Sequence, residues 1–361
     1  MNDKVTLMKG NEALAMAMIR YGADGYFGYP ITPQSEVLEK LEEEMPWETT
    51  GMVVLQAESE VAAINMVYGG AMTGKAVCTS TSSPGFSLMQ EGVSYLAASE
   101  VPALLINVQR GGPGLGTIHA SQADYFQACK GGGHGDYHMI VLAPSSVQEM
   151  ADMVALGFDL AFKYRCVSMI LADGTIGQLM EKVVLPEQRP RRTEEEIRQQ
   201  CPWAVNGRKG MRPSNVVTSL ELDDDKMEEN NWRFQACYRE IEKNETRCEL
   251  IDVEDCDYLI TAFGTTARVA MKTMELARAE GIKVGMFRPI TLWPFPEKQL
   301  RDAAKNVKGI LCVELNAGQM VEDVKLAVEC KMPVEHYGRF GGNVPTPDEL
   351  LNVLKEKLIN K

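Results

Sequence analysis

Apolar runs and helical stripes alternate along this chain, break off in its middle, and resume. Residues 11–21 space their apolar positions for a helix that Gly22 stops, and 25–29 read as a short strand. Thr32 reads as an N-cap with Pro33 at the first helical position; the helix that follows carries Val37, Leu38 and Leu41 on one face. Strands are predicted at 52–55 and 76–79, and helices at about 58–70 and 88–98. The runs A-L-L-I-N-V at 103–108 and M-I-V-L at 139–142 predict strands, the first of them buried. Ser146 and Glu149 form a capping-box pattern opening a helix to about Tyr164, and 167–171 closes the series. Alternation of this kind predicts a mostly parallel sheet, covered by helices on both faces, over residues 1–186.

The pattern then fails. Residues 187–256 hold EQRPRRTEEE, NGRKGMRP and ELDDDKMEENN, which predict an extended connection with a short helix or two. It is too long for an ordinary loop and is expected to wrap a domain or a partner. Alternation resumes in residues 257–361. Strands fit 258–263, 283–287, 309–314 and 334–336; helices fit 266–280, 296–306, 319–329 and 348–358. This predicts a second, smaller α/β domain.

Composition narrows the function classes. A net charge of −13 over 361 residues argues against a nucleic-acid partner. No apolar run is long enough for a transmembrane helix, and the first residues lack a signal-peptide pattern, so a cytoplasmic protein is expected. The nine cysteines include no C-x-x-C spacing, which predicts reduced thiols and no metal or iron–sulfur site held by this chain alone.

The glycine-rich run Gly111-Gly112-Pro113-Gly114-Leu115-Gly116 does not have dinucleotide-binding spacing. It suits a flexible active-site loop, because glycines let the backbone approach a ligand. His134 and His138 lie in the loop GGGHGDYH, which does not read as a helix, so no zinc pair is expected. Four segments each follow a predicted strand or open a helix: Tyr29–Ser35 (YPITPQS), Gln56–Ala63 (QAESEVAA), Thr79–Met89 (TSTSSPGFSLM) and Asn107–Gly114 (NVQRGGPG). In this fold class such segments converge on one rim, at the carboxyl ends of the strands.

On these motifs the chain resembles the 2-oxoacid:ferredoxin oxidoreductases over nearly its whole length. G-Y-P-I-T-P and Q-A-E-S-E-V-A-A-I-N-M-V-Y-G look like the thiamine-pyrimidine-binding subunit. The run from G-P-G-L-G through S-Q-A-D-Y-F-Q-A-C-K-G-G-G-H-G-D-Y most resembles the branched-chain (3-methyl-2-oxobutanoate) enzymes. L-W-P-F-P and V-E-L-N-A-G-Q look like the transketolase C-terminal domain. The implied fold is a thiamine-diphosphate pyrimidine-binding-like parallel-sheet domain followed by a smaller transketolase C-terminal-like α/β domain. The implied reaction is coenzyme A-dependent oxidative decarboxylation of a 2-oxoacid with reduction of ferredoxin. A 2-oxoglutarate enzyme subunit, or a non-catalytic scaffold of the same fold, stands as the alternative.

Thiamine-diphosphate chemistry needs a desolvated carboxyl against N1′ of the aminopyrimidine. Glu58 and Glu60, both expected on one helix, would point about 200° apart. Glu60 shares its face with Ala63, Ile64 and Val67 and occupies the position of the family's glutamate, so Glu60 is the expected catalytic and cofactor-binding residue. The resemblance puts Thr32 and Arg110 near the substrate carboxylate, and Arg110 has the bidentate fork that a carboxylate fits. Pro30, Ser82 and Ser83 are expected to shape the cofactor seat. The family's diphosphate motif, G-D-G followed by N-N, is matched only by Ala172-Asp173-Gly174, with Asn230-Asn231 too far along. Magnesium, the diphosphate and [4Fe-4S] clusters are therefore expected on partner chains, with no metal on this one. The implied partners are a β-type thiamine-diphosphate/iron–sulfur subunit, a γ-type subunit, a small ferredoxin-like subunit and ferredoxin itself.

Overall fold

The computed structural model describes residues 5–208, 210 and 212–360. Strands are numbered along the chain. β1 (Val5–Lys9) pairs antiparallel with β8 (Met180–Val184) as a separate two-stranded ribbon, which the sequence pattern did not suggest. The larger sheet has seven strands: β2 (Gly25–Gly28), β3 (Val53–Gln56), β4 (Val77–Thr81), β5 (Ala103–Gln109), β6 (Ile140–Leu142), β7 (Val167–Asp173) and β12 (Thr291–Trp293). Their order is β12-β6-β7-β5-β4-β2-β3, and all neighbours are parallel except β12 on β6. β4, β5 and β7 are buried at every position, as expected of strands covered on both faces.

The smaller sheet runs β14 (Val334–Gly338), β13 (Gly309–Glu314), β10 (Tyr258–Thr261), β11 (Val284–Pro289), β9 (Cys248–Ile251), with β9 alone antiparallel. β12 follows β11 after a single residue, yet it leaves that sheet and joins the larger one. The two halves of the chain therefore share a sheet edge. Asp173, at the end of β7, ties them again. It accepts from the backbone N–H of Thr175, Ile176 and Thr265 and from the Thr265 hydroxyl (2.5 Å).

Three expectations about element boundaries need correction. Thr32 is not an N-cap: the helix Ser35–Glu44 starts three residues later with Gln34 before it, and the Thr32 carbonyl is used elsewhere. Proline disfavours a helical conformation in the residue before it, which moves the start past Pro33. Glu58 lies outside the helix Glu60–Met72, because Ser59 is the cap and accepts from the Ala62 N–H. The helix expected at 88–98 begins at Ser83, with Ser82 in the cap position.

The middle segment is more helical than its composition suggests. Thr193 and Glu196 close a capping box on Glu194–Gln200, and Asp223 caps the 21-residue helix Asp224–Asn244. That helix buries only Phe234, Tyr238 and Ile241, spaced four and three apart in its second half. Its first ten residues are charged or polar apart from Met227 and Trp232, so the run ELDDDKMEENN looked like solvated connection.

Candidate active site

The carboxyl ends of β2, β3, β4 and β5 bring most of the expected residues to one rim. Glu60 opens the helix after β3. Its side chain is 6% exposed, packed on the same face as the buried Ala63, Ile64 and Val67. The carboxylate makes no hydrogen bond or ion pair with any described residue. Helix Glu60–Met72 can lie close to helix Ser83–Ala98 because glycines stand at the contact. A Cβ on Gly85 would come within 2.6 Å of Glu60 Oε1, and one on Gly92 within 2.6 Å of Ile64. Glu58, by contrast, is exposed and accepts from the Ser59 hydroxyl.

Arg110 follows β5 and is 8% exposed. Its Nη1 donates to the Thr32 carbonyl (2.8 Å) and its Nη2 to the Leu115 carbonyl (3.0 Å), while Nε is buried without a partner. No carboxylate lies within ion-pair distance of it among the described residues, so a buried guanidinium charge faces the rim without a counterion. Thr32 itself is exposed, and its hydroxyl makes no hydrogen bond with any described residue. The glycine-rich loop is closed upon itself: Thr117 N–H donates to the Gly111 carbonyl (2.7 Å) and Gly111 N–H to the His119 carbonyl (2.9 Å). Gly114 and Gly116 take positive φ of 69° and 58° there.

Ser82 is fully buried with an unpartnered hydroxyl. Ser83 is the joint of the site. Its Oγ accepts from the Arg110 N–H (3.0 Å) and lies within bonding distance of the Arg110 carbonyl (3.1 Å) and Asp124 Oδ2 (2.6 Å). Asn107 Nδ2 donates to that same Asp124 oxygen (2.9 Å). Burial pushes the Asp124 carboxyl above the usual carboxylate range, against the pull of its Ser83 and Asn107 donors. Pro30 is exposed on the loop after β2.

Sequence reasoning passed over Asp124, Asn107 and Gln34. Gln34 lies in the Y-P-I-T-P-Q segment, and the Ser80 hydroxyl donates to its Oε1 (2.5 Å) while also meeting Tyr26 Oη (2.6 Å). Asp124 sits in S-Q-A-D-Y, a run whose resemblance was noted but whose acid was not. His138 stacks on Trp293 at 4.5 Å with Tyr238 at its edge, in a packing role. A cleft of about 480 Å³ opens beside the rim, between the Gly111–Gly114 loop, Ser83, Asp124 and, from the second half, Leu315, Ala317 and Phe340. No helix among the described residues is long and apolar enough to cross a membrane.

Comparison with known proteins matches this geometry to a family. Residues 16–245 match the pyruvate flavodoxin/ferredoxin oxidoreductase thiamine-diphosphate-binding family, and residues 256–350 match pyruvate:ferredoxin oxidoreductase core domain II. The chain is 47% identical to the ketoisovalerate oxidoreductase subunit VorB of Methanothermobacter marburgensis, over 97% of each chain. It is 34% identical to the 2-oxoglutarate synthase subunit KorA of the same organism, over 96% of this chain and 97% of that one. Among solved structures, a 2-oxoglutarate:ferredoxin oxidoreductase from Magnetococcus marinus, with 2-oxoglutarate, coenzyme A and succinyl-CoA bound, superposes with a TM-score of 0.84 at 29% identity. The match covers 98% of this chain and 65% of that one. A split-gene transketolase shares the fold at a TM-score of 0.60 and 12% identity, over 98% of each chain. The chain thus belongs to the pyruvate flavodoxin/ferredoxin oxidoreductase family, of which it carries the thiamine-diphosphate-binding domain followed by core domain II.

Proposed function

We propose that this chain is the pyrimidine-domain subunit of a cytoplasmic 2-oxoacid:ferredoxin oxidoreductase acting on a branched-chain 2-oxoacid. The reaction takes a 2-oxoacid, coenzyme A and two oxidised ferredoxins to acyl-CoA, carbon dioxide, a proton and two reduced ferredoxins. The observation that carries the reading is Glu60, a buried carboxylate on the rim with no protein donor. A ring nitrogen that exchanges a proton is the partner such a group lacks.

When bound, thiamine diphosphate supplies the nucleophilic carbon and the electron sink for decarboxylation. The residues present fit its pyrimidine end. Glu60 holds the proton at N1′, and the unpartnered hydroxyl of Ser82, with Ser83 and Pro30, shapes the seat. Arg110 and the exposed Thr32 hydroxyl bind the substrate carboxylate, and Ser83 and Asp124 hold the Arg110 backbone in place. Asp173, the acid of the A-D-G run, is used as a helix cap and interdomain tie, which supports a diphosphate–metal site on another chain. The diphosphate, magnesium and [4Fe-4S] clusters fall to a β-type subunit, with γ-type and small ferredoxin-like subunits completing the complex.

Two observations favour a branched-chain substrate over 2-oxoglutarate. Identity to the ketoisovalerate subunits, at 46–47%, exceeds that to the 2-oxoglutarate synthase subunits, at 33–35%. The cleft between the Gly111–Gly114 loop and Phe340 has no lysine or arginine among its lining residues, so it suits an apolar side chain better than a second carboxylate. The test is Glu60→Gln in the assembled complex, assayed with 3-methyl-2-oxobutanoate and a viologen acceptor beside 2-oxoglutarate, pyruvate and an aryl pyruvate. Turnover should fall by roughly 10²–10⁴-fold with the branched substrate preferred in the unsubstituted enzyme; unchanged turnover would assign the chain a scaffold role instead.

A further inference from the structure

We propose that a cavity at the amino ends of the larger sheet binds an oligophosphate anion of about nucleoside-diphosphate size, away from the candidate active site. The cavity has a volume of about 620 Å³, within the range of small-molecule sites. It is walled by the end of the first helix at Tyr21, the last turns of helix Val147–Tyr164 and the connecting segment 189–203. Gly22 on its wall precedes β2, and Arg165 precedes β7 by two residues. The candidate active site lies at the other ends of these strands, roughly 20 Å away for a seven-residue strand.

Lys163, Arg165, Arg189 and Arg192 line this cavity, against the single acid Asp159. That is an unusual concentration on a chain of net charge −13. Three guanidinium carbons lie over aromatic rings: Arg189 over Tyr21 (5.0 Å), Arg192 over Phe162 (4.2 Å) and Arg165 over Trp203 (4.7 Å). Arg192 Nη2 donates to the Gly74 carbonyl (2.8 Å) and Arg189 Nη1 to Asp159, while both terminal nitrogens of Arg165 and the Nε and Nη2 of Arg189 make no hydrogen bond with any described residue. Those N–H edges are what a phosphate oxygen pairs with bidentately.

Neutralisation from within the protein is incomplete. Lys163 reaches Glu245 at 2.6 Å, but Arg247 shares that carboxylate at 2.7 Å. Arg192 lies 3.8 Å from Asp24, which Arg191 already holds at 2.8 Å. Arg189 pairs with Asp159 at 3.1 Å. Arg165 has no carboxylate within ion-pair distance among the described residues, and its Nε donates to the Glu100 carbonyl (3.2 Å). Its charge is held in a half-buried position where desolvation opposes it, and Arg233 adds to that opposition while Glu100 offsets only part of it. An incoming anion relieves that cost.

The experiment titrates the full chain by calorimetry at low salt with inorganic pyrophosphate, ADP and coenzyme A, which all carry the diphosphate group. Pyrophosphate and ADP should each bind saturably at one site. Arg189 is half exposed, so Arg189→Gln leaves the fold intact; it should weaken both by about tenfold, as should Arg165→Gln, with Glu60→Gln and Arg110→Lys binding as the parent does. Should Arg165→Gln fail to fold, Arg189→Gln decides alone. Three results overturn the proposal: no saturable binding of pyrophosphate or ADP at millimolar concentration, affinity indifferent to Arg189→Gln, or binding of coenzyme A alone.

Discussion

Gly85→Ala tests whether the position of the Glu60 carboxylate matters to turnover. Gly85 has no positive φ, so alanine is acceptable to the backbone and only space is at issue. The added carbon would stand 2.2 Å from Thr81 Oγ1 and 2.6 Å from Glu60 Oε1, where ordinary contact begins at 3.4 Å. The Thr81 hydroxyl must therefore give by about 1.2 Å and the carboxylate by about 0.8 Å, or the helix Ser83–Ala98 must move away by a similar amount. Overpacking of this kind costs about 1–3 kcal/mol, offset by up to about 1 kcal/mol of helix propensity. A displacement near 1 Å at a reacting group costs about 10²-fold in rate, or about 2.7 kcal/mol of transition-state stabilisation. Gly92→Ala is the matched control. Its Cβ would stand 2.6 Å from Ile64 in the same helix pair, two turns from the carboxylate. Both variants should lose similar stability in thermal unfolding of the chain. Only Gly85→Ala should lose about 10²-fold in kcat in the assembled complex with 3-methyl-2-oxobutanoate. If Gly92→Ala loses as much turnover, or Gly85→Ala keeps its rate within about threefold, the placement of Glu60 is not what limits the reaction.

Further expectations follow from the same contacts. Arg110→Lys keeps a charge but cannot hold the Thr32 and Leu115 carbonyls together, so KM for the 2-oxoacid should rise about 10–100-fold; an unchanged KM removes Arg110 from the site. For Asp124, burial raises the folded pKa, so the stabilisation it contributes is full below its unfolded value near 3.9 and is lost as pH climbs through the folded one. Asparagine does not titrate, so the urea stability of Asp124→Asn should improve relative to the parent between pH 4 and pH 7; a difference that stays flat contradicts the raised carboxyl. Asp173 titrates in the same sense in both proteins and cancels from the comparison. Thr265→Val removes the hydroxyl on the buried Asp173 and should cost about 1–3 kcal/mol in denaturant unfolding, whereas a loss under about 0.5 kcal/mol would mean that the backbone N–H groups suffice.

The central strands of the two sheets were legible because most of them are apolar runs followed by helical patterns. Strand 309–314 was placed as the structure has it, and Gly22 ends its helix with the φ of 81° that its position required. The strands that were missed are of another kind. β1, β8 and β9 lie at edges or outside the main sheets, where half the side chains face solvent and no apolar run marks them. β12 is three residues long and its partner lies some 150 positions earlier, a pairing no local pattern encodes. At the site, the choice of Glu60 over Glu58 rested on its share of an apolar face and on the position of the family's glutamate, and that face is buried. Asp124 was invisible for the opposite reason: its neighbours Ser83 and Asn107 come from other segments, and only folding assembles them.

The placement of Thr291–Trp293 bears on how the protein is made. A ribosome that has released the first 250 residues has not yet synthesised the strand that covers β6. Until about 40 more residues emerge, the nascent first half presents an open, apolar hydrogen-bonding edge. A gene cut between the halves would leave that edge bare for good, and the fragment should self-associate unless the other piece is co-expressed.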